Sequence, residues 1–193
     1  MGFISVLSFA HKLIQERVQP GDTAVDATAG TGADTLLLAR AAGRRGHIYS
    51  FDIQEEALIL TKQRLQEAQE ASIAEVTLLK HSHAEMKQLI PSSVHGKIAA
   101  IMFNLGYLPT ADADKSIMTE PSTTIDALQA AVDLLRPRGI MTAVLYPGHA
   151  GGDIEAEAVN QWAAALPSTV GQAILYRQLQ RSSAPYLIAV EKK

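Results

Sequence analysis

Two carboxylates and two glycines near the start of this chain are spaced to do chemistry together. Asp26 ends an apolar run, and Ala27-Thr28-Ala29-Gly30-Thr31-Gly32-Ala33-Asp34-Thr35 follows before Leu36, Leu37, Leu38 and Ala39 take up helical spacing. Glycine lacks a Cβ, so Gly30 and Gly32 permit a turn in which main chain can touch a flat or charged ligand. Twenty residues beyond Gly32 a second apolar run ends at Asp52, a position from which an acid can bind two ribose hydroxyls. Strand, glycine loop, helix, strand and terminal acid together predict the nucleotide half-site of a Rossmann-like sheet.

The dinucleotide fingerprint Gly-x-Gly-x-x-Gly cradles a pyrophosphate on a helix N-terminus. Here Thr35 stands where its third glycine belongs. Asp26 and Asp34 beside the loop repel a pyrophosphate and suit a cationic ligand such as S-adenosylmethionine, which carries an ammonium and a sulfonium. A methyl donor is therefore the leading reading and a nicotinamide dinucleotide the second. A plain tight turn packing a helix on a sheet also accounts for the pattern.

The elements that must position these groups alternate along the whole sequence. Strand patterns fall at residues 23–27, 45–52, 75–80, 97–103 and 139–145, with helical spacing at 34–42, 54–70, 85–89, 122–135 and 154–166. An amphipathic helix over residues 3–18, containing His11, Lys12, Glu16 and Arg17, precedes them. Two β-rich runs, 170–178 and 186–191, are separated by too few residues for a helical crossover, so they should pair as an antiparallel hairpin. The expectation is a single α/β domain over residues 1–193: a mostly parallel seven-stranded sheet, helices on both faces, the hairpin at one edge. In such sheets ligands bind beyond the carboxyl ends of the strands. Those ends read Asp26 to Asp34, Asp52-Ile53-Gln54, His81-Ser82-His83, Asn104-Leu105-Gly106-Tyr107-Leu108-Pro109 and Tyr146-Pro147-Gly148-His149.

Phe103-Asn104-Leu105-Gly106-Tyr107 is similar to the Asn-Pro-Pro-Tyr signature of methyltransferases acting on amino groups. An amine needs acceptors that fix its hydrogens and aim its lone pair; Asn104 can supply one and the following main chain another. Tyr107 offers a ring on which a base can stack. A turn needing Asn and Gly for left-handed backbone reads the same way. His81 and His83 have strand spacing, which would send their side chains to opposite sides, and no accompanying ligand motif argues for a metal. His149 could face a substrate, as proton acceptor or phosphate contact, or cap the next helix.

With 193 residues, 47% hydrophobic and 19% charged, the chain has the size and composition of one globular domain. No apolar run has membrane-spanning length, and no leader pattern is visible, so a cytoplasmic location is expected. The absence of cysteine excludes disulfides, thiolate zinc sites and a cysteine nucleophile. A net charge of −3 gives no global attraction to nucleic acid, so an RNA partner would need a local basic patch. Lys12, Arg17, Arg44, Arg45, Lys115, Arg136, Arg138, Arg177 and Arg181 are the candidates.

Almost end to end, these motifs resemble the small bacterial methyltransferases of the MnmM/YtqB type, formerly labelled ribosomal RNA methylases. The resemblance rests on Val25-Asp26-Ala27-Thr28 with Gly30, Gly32, Asp34 and Thr35, on Phe51-Asp52-Ile53-Gln54, His81-Ser82-His83 and Phe103 to Pro109, and on Lys115-Ser116-Ile117, Tyr146-x-Gly148-His149 and the ending Ile188 to Lys193. It implies a class I fold and transfer of a methyl group from S-adenosylmethionine to the 5-aminomethyl group of the tRNA wobble uridine, commonly a 2-thiouridine. It further implies that Asp26, Thr28, Ala29, Gly30 and Asp34, with Gly32 and Thr35 of the same loop, line the methionine end of the cofactor. Asp52 would bind ribose, Ile53 and Gln54 would flank the adenosine, and Ser82 and His83 would close the adenine side. Asn104, Leu105 and Tyr107 would lie between sulfonium and amine. Ala29 and Thr31 depart from the residues common in relatives, and the loop Ala111-Asp112-Ala113-Asp114 is longer than usual. The partner implied is the tRNA anticodon arm; the N-terminal helix or the hairpin could form a homodimer surface. Ribosomal RNA or another amine is the alternative target, and an RNA-binding module without catalysis is the non-enzymatic one.

Overall fold

The computed structural model describes residues 2–68, 70–106, 121–148 and 151–193. Seven strands form one sheet: β1 (Thr23–Asp26), β2 (His47–Phe51), β3 (Glu75–Leu79), β4 (Ile98–Leu105), β5 (Leu135–Leu145), β6 (Gly171–Tyr176) and β7 (Tyr186–Lys192). Their order across the sheet is β3-β2-β1-β4-β5-β7-β6. β1 to β5 run parallel, while β7 pairs antiparallel with both β5 and β6. The class I Rossmann-like arrangement expected from the sequence is therefore present, with the hairpin at the edge and β7 inserted beside β5.

Six helices accompany the sheet among the described residues: α1 (Val6–Gln15), α2 (Ala33–Ala42), α3 (Glu55–Glu67), α4 (Met86–Leu89), α5 (Pro121–Leu134) and α6 (Gly152–Ala165). β4 shows why both faces need covering. Ile101, Phe103 and Leu105 join the cluster with Leu128, Ala131 and Val159 from α5 and α6. The alternate residues Ala100 and Met102 join Ile14, Leu38 and Ala42 from α1 and α2. This period of two is what a strand buried on both sides requires. Burying each large side chain contributes roughly 1.5–3 kcal/mol before chain entropy is counted.

Most expected elements fall within a few residues of their places, and the exceptions have local causes. The N-terminal helix spans Val6–Gln15 rather than residues 3–18, because Ser5 caps it by accepting the Ser8 N–H. The strand expected at 139–145 starts at Leu135; between the pairs Ile98↔Leu135 and Ala100↔Ile140 the register shifts. Arg138 takes φ 62 there, so Pro137 and Gly139 shape an irregularity within β5 rather than a break before it. His81 and His83 do not share a strand: His83 opens a short 3-10 helix, His83–Glu85, ahead of α4. No described helix is long and apolar enough to cross a membrane.

Chain order and spatial order part company at one place. The path runs outward from β1 through β2 to β3, then returns to lay β4 on the other side of β1. Adjacent strands that leave in opposite directions open a crevice at their carboxyl ends.

Candidate active site at the sheet switch point

The loop after β1 and the end of β4 meet in that crevice. The Asn104 backbone N–H donates to Thr28 Oγ1 at 2.7 Å, joining the two strand ends directly. Ala29 N–H reaches the Phe51 carbonyl at 2.8 Å and ties the loop to β2 as well. Gly30 takes φ 53, and its N–H donates to Asp52 Oδ2 at 3.0 Å. Gln54 N–H donates to Asp52 Oδ1 at 2.9 Å. Burial holds the Asp52 carboxyl above the ordinary range, opposed by the N–H groups of Gln54, Gly30 and Ile53. Beside it the Ile53 side chain stands 52% exposed, an apolar surface next to a fixed carboxylate.

Asp26 lies beneath the loop rather than in the crevice. It is fully buried, accepting from Thr28 N–H at 3.1 Å and from the Thr35 hydroxyl at 2.5 Å. Thr35 in turn meets Ser50 Oγ at 2.8 Å. Desolvation and then the Asp34 charge push the Asp26 carboxyl up to about 7, against the hydrogen bonds from Thr35 and Thr28. Asp26 and Thr35 thus form the floor that shapes the loop, a correction to the expectation that they line it.

Gly32 also serves a purpose other than the one expected. It takes φ 77, and a Cβ placed on it would lie 2.7 Å from Thr61 Cα. The missing side chain lets α3 pack against the start of α2, so the glycine is needed for helix contact rather than ligand approach. Leu105 is a third correction: its side chain turns into the core beside Phe103, because strand alternation leaves only Asn104 facing the crevice. Ala29 is likewise buried, so side-chain lining falls to Thr28, Asp34, Asn104 and the pair after β2.

Ser82 caps the short 3-10 helix by accepting Ala84 N–H at 3.2 Å. His83 is buried edge-on to Phe103, ring centroids 5.8 Å apart. Burial pushes its imidazole down to about 4 despite a hydrogen bond with the Ala27 backbone, so the ring is neutral at physiological pH. His81 points to solvent and pairs with Glu85 at 3.1 Å. Among the described residues no group of three His, Asp or Glu side chains is placed to hold a metal ion. Tyr107 and His149, along with Leu108, Pro109 and Lys115, lie outside the described residues.

Two residues reach this site beyond those given a role above: His11, and Tyr146, which was placed at a strand end without one. His11 of α1 places Nε2 2.7 Å from Asp34 Oδ1, raising the imidazole above its ordinary value mainly through that hydrogen bond. Tyr146, just past β5, is raised by burial and by the Asp34 charge and drawn back by a hydrogen bond from Asn104. Asn104 Oδ1 is buried with no partner among the described residues. Tyr146 sits at a strand end, which is a usable sequence signal. His11 lies one helix away, and nothing in local spacing announces it.

Three of the basic candidates hold partners within the chain. Arg17 pairs with Glu191, and Arg136 binds Asp22 through two bonds of 2.7 and 2.9 Å. Both lie at the sheet edge opposite the crevice. Arg177 stacks over Tyr186 at 5.0 Å and donates to the Ser182 carbonyl.

Strand order, the antiparallel β7 and a crevice combining glycine loop, fixed acid and strand-end amide define a class I methyltransferase. A model of the family described as "Putative rRNA methylase" matches residues 48–191. A structure from Clostridium thermocellum with that same description is 36% identical, with a TM-score of 0.92 and both chains covered in full. A "putative methyltransferase" from Streptococcus mutans, solved in complex with SAH, is 29% identical over the whole of both chains, TM-score 0.86. An Arabidopsis thaliana protein named tRNA (mnm(5)s(2)U34)-methyltransferase, chloroplastic, is 35% identical over 95% of this chain and 68% of its own. This chain belongs to that rRNA methylase family, and as a class I enzyme it takes its methyl group from S-adenosylmethionine.

The residues present fit that donor. Asp52 keeps acceptor capacity beyond its backbone partners, Ile53 offers an exposed apolar face beside it, and Asp34 places a carboxylate directly after the loop. Asn104 Oδ1, buried without a partner among the described residues, is left to accept from a group that binds beside the donor.

Proposed function

We propose that this enzyme methylates the primary amine of 5-aminomethyl-uridine, commonly 2-thiolated, at the tRNA wobble position, giving the 5-methylaminomethyl form. The observation that carries the reading is Asn104 Oδ1, an orphaned buried acceptor at the switch point. The carboxamide oxygen accepts an N–H of the amine and so aims its lone pair, while the sulfonium of the bound donor would disfavour a second positive charge beside it. The neutral amine would form the N–C bond as the C–S bond breaks, and the methylated ammonium would then release a proton to solvent. The 35% identity to the Arabidopsis wobble-uridine enzyme supports this substrate class.

S-adenosylmethionine, when bound, supplies an electrophilic methyl carbon on a sulfonium. The chain's own contribution is placement. Asp52 holds the ribose hydroxyls, Ile53 covers the base, and Thr28 anchors the β4 end so that Asn104 is aimed. Orientation of this kind supplies much of the rate in such a displacement. Tyr107 is assigned to stacking a base, and His149 to the substrate side. The anticodon arm of tRNA is the partner this reading requires.

Ribosomal RNA is the second reading. It is favoured by the family's description and by 28% identity over 136 residues to ribosomal RNA small subunit methyltransferase H of Koribacter versatilis, of which the match covers 41%. The two are separated by incubating the enzyme with labelled S-adenosylmethionine and either tRNA or ribosomal RNA from a strain lacking the gene, followed by nucleoside mass spectrometry. The expected product is methylaminomethyl-uridine in tRNA at the expense of its aminomethyl precursor. Label confined to ribosomal RNA would overturn the assignment.

A further inference from the structure

We propose that His11 is a positioning residue of the donor pocket, holding Asp34 so that the carboxylate receives the α-ammonium of the donor's methionine moiety. The proposal rests on the donor reading given above. A carboxylate can only accept, so at 2.7 Å the His11 Nε2–H donates to Asp34 Oδ1. Asp34 is 8% exposed and opens the first turn of α2, directly after the glycine loop. Oδ2 makes no hydrogen bond among the described residues, which leaves one oxygen fixed and one available. The other titratable groups facing Asp34 are Asp26 beneath the loop and Tyr146 beyond β5. Neither can donate a positive charge, so His11 is the basic side chain that holds this carboxylate before a ligand arrives.

His11 is brought in by α1, which packs on α2, β5 and β7. The N-terminal helix is in this way a wall of the donor site and not only a cover for the sheet. Fixing one carboxylate oxygen removes freedom that ligand binding would otherwise have to remove.

The test compares two ligands by calorimetry on the full chain. S-adenosylhomocysteine carries the amino-acid end; 5′-methylthioadenosine has the same nucleoside thioether without it. His11→Leu and Asp34→Asn should each weaken S-adenosylhomocysteine about tenfold, the cost of one charge-assisted hydrogen bond. Both should leave methylthioadenosine affinity unchanged, which also shows that the pocket is folded. His11→Gln, whose amide nitrogen lies close to the place of Nε2, should restore most of the loss. Equal weakening of both ligands, or no change in either, overturns the proposal. Failure of the wild-type chain to bind S-adenosylhomocysteine at all would instead strike the donor assignment on which it rests.

Discussion

Asp26→Asn should make the protein more stable at mildly alkaline pH and leave it unchanged at mildly acidic pH. The wild-type carboxyl is fully buried and raised to about 7, from an ordinary value of 3.8 in the unfolded chain. Between those values the folded state holds a proton that the unfolded state has lost. The sign follows from linkage: stability falls wherever the folded state binds more protons as pH rises, so this group destabilises progressively from about pH 4 to about pH 7. Each tenfold difference in proton affinity between the two states corresponds to about 1.4 kcal/mol, so moving from about pH 5 to about pH 8 should cost the wild type about 2–3 kcal/mol through this residue. Asparagine mimics the protonated acid. Its oxygen still accepts the Thr28 N–H, and its NH₂ donates to Thr35, whose hydroxyl can rotate to accept and keeps Ser50 within reach. Urea unfolding of both proteins across this range isolates the effect, because His11 and His83 titrate in both. Parallel stability curves would refute the buried-acid account.

Three further outcomes are expected. Gly32→Ala combines left-handed backbone with a Cβ 2.7 Å from Thr61 Cα, and should cost about 2–4 kcal/mol by urea unfolding; a loss below about 1 kcal/mol would mean that α3 shifts freely. Ile53→Ser removes a half-exposed apolar face and should weaken S-adenosylhomocysteine and methylthioadenosine alike, by roughly three- to tenfold, since both carry adenine; an effect on one alone would remove Ile53 from the base contact. Asn104→Ala should leave donor affinity intact, because its N–H to Thr28 is backbone, and lower turnover about a hundredfold; full activity on aminomethylated tRNA would exclude Asn104 from orienting the amine.

The sheet was legible because its signals are local. The continuous apolar run of β4, the alternation at β7 and the short gap before it each fix an element without reference to the rest. The start of β5 was not, since Pro137 and Gly139 read as an interruption, and only pairing with Ile98 shows that the strand begins four residues earlier. The site divides the same way. Asp52 and Asn104 follow directly from their places at strand ends. Asp26, Thr35, Gly32 and Leu105 sit in the right motif but face the wrong way, because a motif records proximity along the chain and not which atoms reach the crevice. His11 reaches it through packing of α1 alone, and no spacing rule connects residues 11 and 34.

Three carboxylates, two at the crevice and Asp26 beneath it, present an electrostatic problem that the fold resolves by giving each a different environment. If all three were charged and unpaired, they would repel one another across a poorly solvated pocket. Asp26 is withdrawn from water until its carboxyl titrates near neutrality. Asp34 is offset by an imidazole whose proton affinity that same contact raises. Asp52 accepts backbone N–H groups that favour its charged form, while burial works against it. The crevice is left negative without three full charges facing one another. S-adenosylmethionine, with a sulfonium, an ammonium and a carboxylate, carries net charge of about +1, whereas its product S-adenosylhomocysteine is neutral. The pocket is matched to the donor before transfer and mismatched after it, which favours product release over product retention. Adding salt should therefore weaken donor binding more than product binding. Identical salt dependence for the two ligands in calorimetry would show that the three acids do not act as a charge-matched set.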